Sequence, residues 1–404
     1  MNPTLEIFSQ GEEIVTGQTV DTNAAWLAQE AIHCGFTVTR HTAVGDKLDD
    51  LIHLLSEIAA RADCCICTGG LGPTSDDLTA EAVAKAFDRP LTFDAVAFEQ
   101  IIEFFQSRNR AMPQINRKQA LLPQTAIRID NAWGTAPGFA IKHRRCWFIF
   151  LPGVPSEMKA MFIEHVKPDL LARFTLHPPH LISLKSFGLG ESAIQELIKE
   201  IKIPNKVELG FRAGTDDVQT KLLFPFDYPK TDLNTLVSEL NDCLGDYVFA
   251  IDGLGEPTGD LAFEIDKFMT ANKQSLAVIE TASHGLLAAK CVGYDWLIKA
   301  SYEKNIKVST QALSTEEQLI HAKDLAMVTQ KNTGVNAVLI QLYTGDENAL
   351  IDKNKSIGLL SVLLVGKAFY QTTHSIVGPI SRKQNQAALL SLDLLRRYCQ
   401  GKTI

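Results

Sequence analysis

Apolar positions along the first hundred residues switch repeatedly between a period of two and a period near 3.6, and each switch marks a strand giving way to a helix. Leu5–Phe8 reads as a short strand. Gly11 to Asp21 forms a glycine-punctuated turn, after which Thr22 or Asn23 can cap a helix over Ala24–His33 that Gly35 closes. Phe36–Val44 alternates as a strand does, and Leu48, Leu51, Ile52, Leu55, Ile58 and Ala59 then recur at helical spacing. The run Cys64–Thr68 follows, then a glycine-rich turn and a helix over Leu78–Phe87. This alternation predicts an α/β fold with a parallel, doubly wound sheet, in which ligands bind at the carboxyl ends of strands.

Beyond residue 90 the pattern predicts an amphipathic segment over Phe93–Arg108 and strands over Gly138–Lys142 and Cys146–Leu151. Pro155 or Ser156 suits the start of a helix over Met158–His165. The first domain is expected to span residues 1–172, with His177–His180 as a linker. Residues 173–253 read as a small α+β unit: a strand at 181–187, a helix at 191–200, strands near 207–211 and 218–224, and a helix at 231–243. A break at Asp252–Pro257 opens a third domain, 254–404, in which apolar strands (Leu276–Ile279, Ala337–Tyr343, Gly358–Gly366) alternate with helices and the amphipathic helix Gln384–Cys399 closes the chain.

Length and charge narrow the functional classes. A chain of 404 residues is too long for one ordinary core. Its formal net charge of −8 argues against nucleic-acid or membrane-surface partners, which need a basic field. No apolar run reaches transmembrane length, and the opening TLEIFSQGEE has neither a basic n-region nor an apolar h-region, so the cytoplasm is the expected address. Three of the eight cysteines, Cys64, Cys65 and Cys67, fall in one apolar run, where cysteine packs as a small hydrophobe and no disulfide framework is expected.

The chemistry concentrates in GGLGPTSDDLT, residues 69–79. Gly69, Gly70 and Gly72 let backbone N–H groups approach a ligand closely, and the next helix N-terminus adds positive potential, which together suit phosphate. Gly72 is expected to need either a positive φ or contact with the ligand. Asp76 and Asp77 stand at the rim, and a carboxylate about 4 Å from a phosphate oxygen repels it by roughly 4 kcal/mol at an effective dielectric of 20. A bridging divalent cation reverses that sign. Alternatively, either aspartate simply caps a helix.

The first domain resembles the molybdopterin-binding-like domain of the CinA (competence/damage-inducible) family, and the resemblance extends across the whole chain. It is carried by GEEIVTGQTVDTNAAWLA (11–28), VGDKLDDL (44–51), GGLGPTSDDLT (69–79), NRKQA (116–120), GTAPGF (134–139) and LPGVPSEM (151–158), in order. The resemblance implies hydrolysis of the pyrophosphate of ADP-ribose to AMP and ribose 5-phosphate, with a divalent cation (Mg2+, Mn2+ or Co2+, with K+ a further candidate). Asp76, Asp77, Glu12 and Glu13 are the candidate metal ligands, and Asp76, Asp77 and Lys118 the candidate catalytic residues. Substrate-binding candidates are Thr22, Asn23, Gly69, Gly70, Leu71, Gly72, Pro73, Thr74, Asn116, Gly134, Thr135, Pro137, Gly138 and Gly153. A KH-like middle domain, a C-terminal deamidase-like domain and a homodimer are implied as well.

The C-terminal match departs from the family at the residues that matter. Deamidase members carry a segment like AESCTGG with a serine nucleophile, whereas this chain reads Ile279-Glu280-Thr281-Ala282-Ser283-His284-Gly285. Thr281 stands in the serine's place and His284 in that of a glycine whose backbone would serve an oxyanion pocket. Tyr302 and Lys307 echo a family tyrosine–lysine pair, and Thr344-Gly345-Asp346-Glu347 replaces a glycine loop. The chain thus resembles a subgroup with a degenerate deamidase domain. A nucleic-acid role for the middle domain is not expected, because the nearest GxxG-like segment, Gly188-Leu189-Gly190-Glu191, ends in an anion. Two rival readings remain: a non-catalytic nucleotide- or pterin-binding scaffold, and a residual nicotinamide mononucleotide amidohydrolase.

Overall fold

The fold was described from a computed structural model, which describes residues 2–303, 315–344 and 347–404. The chain divides into two compact units, 1–179 and 180–404.

The first unit is built on a six-stranded sheet. Its strands are β1 (Thr4–Gln10), β2 (Thr37–Val44), β3 (Cys64–Thr68), β6 (Ile127–Ile129), β7 (Gly138–His143) and β8 (Cys146–Leu151), while β4 (Leu91–Phe93) and β5 (Leu121–Pro123) pair separately. The order is β2-β1-β3-β8-β7-β6, with the first four strands parallel and β7 and β6 antiparallel additions. Period-two burial explains why both faces are covered. Cys64 and Ile66 of β3 join one apolar layer with Leu27 and Met158, and Cys65 and Cys67 join the other with Leu55 and Val83. All eight cysteines are free, and burial pushes the thiols of Cys64, Cys65 and Cys67 far above their ordinary value.

Several boundaries differ from the sequence expectation. The helix Thr22–Cys34 is capped by Asp21, whose carboxylate accepts from Ala24 N at 2.9 Å, so neither Thr22 nor Asn23 is the cap. The segment at 93–108 resolves into β4 and a helix over Ala95–Gln106. The helix expected over Met158–His165 begins at Pro155 and runs on to Arg173 through a π turn at Phe162–Val166. Pro168 accounts for that turn, since it can give no N–H to the carbonyl four residues back and the ladder must widen there.

The second unit holds two sheets. The first contains β9 (His180–Ser186), β10 (Glu208–Ala213), β11 (Val218–Phe224) and β12 (Val248–Asp252), all antiparallel in the order β10-β11-β9-β12. Helices Glu191–Ile198 and Lys230–Leu244 cover it. The second sheet, ordered β14-β13-β15-β16-β17, contains β13 (Leu276–Glu280), β14 (Leu297–Tyr302), β15 (Ala337–Thr344), β16 (Ser356–Val365) and β17 (Ala368–Val377). Its core takes in Phe249 of β12 and Phe187, just after β9, which joins the two sheets into one unit. The long closing helix Ile380–Cys399 packs against this core.

Candidate functional site

The carboxyl ends of β1, β3 and β8 open on one cleft of about 420 Å³. Strand order reverses between β1 and β3, so the cleft occupies the topological switch point of the sheet. Gln10, the last residue of β1, organises it. Its Nε2 donates to Asp46 Oδ1 (2.9 Å) and to the Asp76 carbonyl (3.3 Å), while its Oε1 accepts the Thr79 hydroxyl. One buried amide thus ties the loops after β1, β2 and β3 together. Gly70 has φ 67°, and a Cβ there would lie 2.1 Å from Gln10 Oε1, so backbone and packing both restrict the position to glycine.

The glycine loop is narrower as a cradle than its sequence suggested. Gly69 N donates to Leu151 O (3.0 Å), Thr74 N to Asp77 Oδ2 (2.8 Å) and Gly134 N to Asn131 Oδ1 (2.9 Å). Gly138 belongs to the β6–β7 ladder and, with Pro137, is buried below the surface. Gly70, Leu71 and Gly72 keep their N–H groups free of any partner among the described residues, and so do Gly153 and Val154 on the neighbouring loop. Five donors without a partner among the described residues, in one concave site, are a set that suits an oxyanion. Thr135 and Pro73 complete the lining from the predicted set.

The two aspartates have unequal positions, and neither caps the helix Thr79–Ala86, whose N-cap is Leu78. Asp77 folds back to accept both the N–H (2.8 Å) and the hydroxyl (2.5 Å) of Thr74. Asp76 is exposed at the rim, and the Thr74 hydroxyl, followed by its own N–H and the Lys118 ammonium, holds its carboxyl below the ordinary value. Gly72 does not have a positive φ; a Cβ there would meet Asp77 Oδ2 at 2.4 Å, so its smallness accommodates the neighbouring carboxylate. Lys118 donates to the Thr74 carbonyl and does not line the cleft.

Of the paired glutamates, Glu13 lines the cleft, whereas Glu12 turns its carboxylate toward Gly45. Thr22 is exposed at the first position of its helix, outside the cleft. Asn23 is buried beneath the cleft, with Nδ2 donating to Gly153 O (2.8 Å) and Thr68 Oγ1 (3.1 Å). Asn116 also acts from behind. It donates to Gln119 Oε1 (2.8 Å), and Gln119, donating to Leu71 O (3.4 Å), is the one that reaches the cleft.

Four polar lining residues escaped the sequence reading: Gln10, Asp46, Gln119 and Glu157. The last three lie inside VGDKLDDL, NRKQA and LPGVPSEM, so the motifs held the signal; Gln10 had none beyond its place before Gly11. Asp46 accepts from Gln10 and from Glu12 N (3.1 Å), and Glu157 Oε2 accepts from Asn131 Nδ2 (2.8 Å). Among the described residues no three His, Cys, Asp or Glu side chains converge as a metal cage. The donor set suits a hard cation held by one or two carboxylates together with substrate phosphate and water, the mode typical of Mg2+.

The C-terminal candidate residues occupy the end of β13. Glu280, 1% exposed, accepts from Gly285 N (3.0 Å), Leu287 N (3.1 Å) and the Ser283 hydroxyl through Oε2, and from Ala288 N (3.0 Å) through Oε1. That carboxylate therefore fills the start of the helix Leu286–Lys290, where an oxyanion would otherwise find amides. The buried Thr281 hydroxyl donates to the Gln341 carbonyl at 3.0 Å. His284 carries a φ of 53°, and its ring lies 4.9 Å from that of Tyr302. Lys307, Gly345 and Asp346 lie outside the described residues.

Comparison with known proteins identifies the family. Residues 6–172 match the family model described as "Probable molybdopterin binding domain". The chain is 31% identical to a CinA-like protein of Shewanella denitrificans, over 97% of this chain and 95% of that one. It is 32% identical to a CinA-like protein of Escherichia coli strain HS, over 99% and 95% respectively. A solved structure of the protein CinA from Thermoplasma acidophilum, 33% identical, covers 41% of this chain and 98% of its own, with a TM-score of 0.39. The chain belongs to the CinA-like protein family.

Proposed function

We propose that the N-terminal unit of this CinA-family chain is a divalent-cation-dependent pyrophosphatase that cleaves ADP-ribose to AMP and ribose 5-phosphate, as part of pyridine-nucleotide recycling in the cytoplasm. The observation that carries this reading is the pair of neighbouring loops, Gly70–Gly72 and Gly153–Val154, whose N–H groups have no partner among the described residues and which line a cleft rimmed by carboxylates. Diphosphate is the guest whose charge needs several such donors at once.

The residues divide the work. The amides of Gly70, Leu71 and Gly72 would hold one phosphoryl group and those of Gly153 and Val154 the other. Glu13 and Asp76 are the carboxylates best placed for a cation, because Asp46 and Asp77 already spend lone pairs on internal donors. When bound, the cation would neutralise phosphoryl charge and lower the pKa of an attacking water. Asp76 is ionised at neutral pH, as its depressed pKa requires. Gln119 can donate to a substrate oxygen, and Asn23 and Asn116 hold the cleft from behind.

Incubating the full chain with ADP-ribose and Mg2+, Mn2+, Co2+ or chelator, and separating the products by chromatography, tests the reading. Expected are AMP and ribose 5-phosphate with metal and neither with chelator. Tight binding of ADP-ribose without turnover under every metal would favour the scaffold reading instead, which the commitment of Asp77 to Thr74 supports.

For the C-terminal domain we infer loss of nicotinamide mononucleotide deamidation, since the Thr281 hydroxyl is engaged with a carbonyl and Glu280 fills the nearby amides.

A further inference from the structure

A second cleft, of about 440 Å³, lies within the second unit, between the turn that follows β9 and the start of the closing helix. Its walls come from the Gly188–Gly190 turn, the Gly214–Val218 turn, the last residues of β17, and Arg382 and Gln386. None of the residues assigned to either candidate site takes part.

Three independent features make this cleft a place for an oxyanion. Ser186 lines it with a side chain that is 0% exposed, and its Oγ has no hydrogen-bond partner, an unusual state for a buried hydroxyl. The helix Glu191–Ile198 starts at its edge from Gly190 with no side-chain cap, and the N–H groups of Gly188, Leu189 and Gly190 have no partner among the described residues. Arg382 faces it without a carboxylate partner among the described residues. The acidic neighbours are Asp216 and Asp217. Asp216 is bound to Lys290 Nζ (2.7 Å) and Asn385 Nδ2 (2.9 Å), and Asp217 accepts from Gln219 Nε2 (3.0 Å). Lys290 neutralises Asp216, whereas Asp217, held by a neutral amide, keeps its charge; Arg382 and Asp217 are thus the unpaired charges of the lining among the described residues, and the guanidinium is the one that an anion can use.

We propose that this cleft binds a small organic phosphate, whose phosphate group sits against the Gly188–Gly190 amides and the Ser186 hydroxyl and pairs with Arg382. A phosphate monoester suits this set better than a carboxylate. Its three terminal oxygens can take backbone amides, a hydroxyl and a guanidinium together, whereas a carboxylate offers two. The volume exceeds what inorganic phosphate needs and falls in the range of small-molecule sites. His374 and Gln386 remain to meet the organic part. The GxxG-like segment, which Glu191 spoils as a nucleic-acid clamp, thereby gains a use with a small ligand.

Hydrogen–deuterium exchange of the full chain, read peptide by peptide, tests the proposal with AMP, inorganic phosphate and succinate as probes. AMP is expected to slow exchange in peptides spanning 186–193, more than inorganic phosphate does, and succinate not at all. Arg382→Gln, a change at an exposed residue, should weaken the AMP effect there at least tenfold in apparent affinity and leave protection of 69–79 in the first unit as it was. Ser186→Ala should weaken it severalfold. Absence of protection at 186–193, or its persistence in both variants, overturns the site, and equal protection by succinate overturns its assignment to phosphate. Because 69–79 reports separately, failure here is distinguishable from failure of the pyrophosphatase reading.

Discussion

A Cβ on Gly72 would lie 2.4 Å from Asp77 Oδ2, because that carboxylate curls over the glycine loop to take both the N–H and the hydroxyl of Thr74. The glycine and the aspartate are one structural device, which shapes the free amides beside it. Gly72→Ala should therefore displace Asp77 and lower ADP-ribose affinity, and Asp77→Ala should lower it too. The double variant should be milder than the sum, with coupling of about 1 kcal/mol or more by calorimetry. Strict additivity would mean that the two residues act separately.

Asp76 is exposed and ionised, and although its carboxylate shares the Thr74 hydroxyl with Asp77, its exposure leaves lone pairs open to a cation. Asp76→Asn should lower kcat/KM for ADP-ribose at least tenfold, a loss of roughly 1.4 kcal/mol of transition-state stabilisation, with an unchanged melting temperature. Asp77→Ala should lower the melting temperature as well, since two hydrogen bonds of the loop go with it. Full activity of Asp76→Asn at limiting metal would remove the residue from the proposed mechanism.

Ammonia release from nicotinamide mononucleotide should stay at the blank, and Thr281→Ser should not restore it. The serine hydroxyl would inherit the same Gln341 carbonyl, and Glu280 would still fill the helix start. His284→Gly should stabilise the fold by about 0.5–1 kcal/mol, as relief of a left-handed residue costing roughly 1–2 kcal/mol is partly offset by glycine entropy. Calorimetric melting checks the second outcome. Ammonia from the unmodified protein, lost in Thr281→Ala, would contradict the first.

His143 stacks on Phe87, with ring centroids 4.1 Å apart, and burial, aided by Arg144 and Arg89, pushes its pKa below 6.5. Below pH 6.5 the unfolded chain then binds a proton that the folded chain refuses until lower pH. This contribution to stability is complete above pH 6.5 and is lost as pH falls through the folded value. An NMR titration should place the His143 midpoint below 6.5, and His143→Phe should flatten the acid-side fall in melting temperature. A midpoint above 6.5 would refute the assignment.

The sequence by itself determined most local elements and the place of the glycine loop that lines the candidate cleft. Period-two and period-3.6 patterns located most strands and helices because side-chain burial in a doubly wound sheet is a local, repeating constraint. GGLGPTSDDLT could be read as a turn at a strand's carboxyl end for the same reason, since its glycines act through the backbone. What only the tertiary structure decided is which groups remain free. Whether an N–H, an amide or a hydroxyl is available depends on partners far along the chain: Leu151 for Gly69, Gly153 for Asn23, Gln341 for Thr281. The same distance hid Gln10, whose three hydrogen bonds reach residues 36 to 69 positions away. Hydrogen-bond commitment is a property of contacts between separate loops, and no periodicity in the chain encodes it.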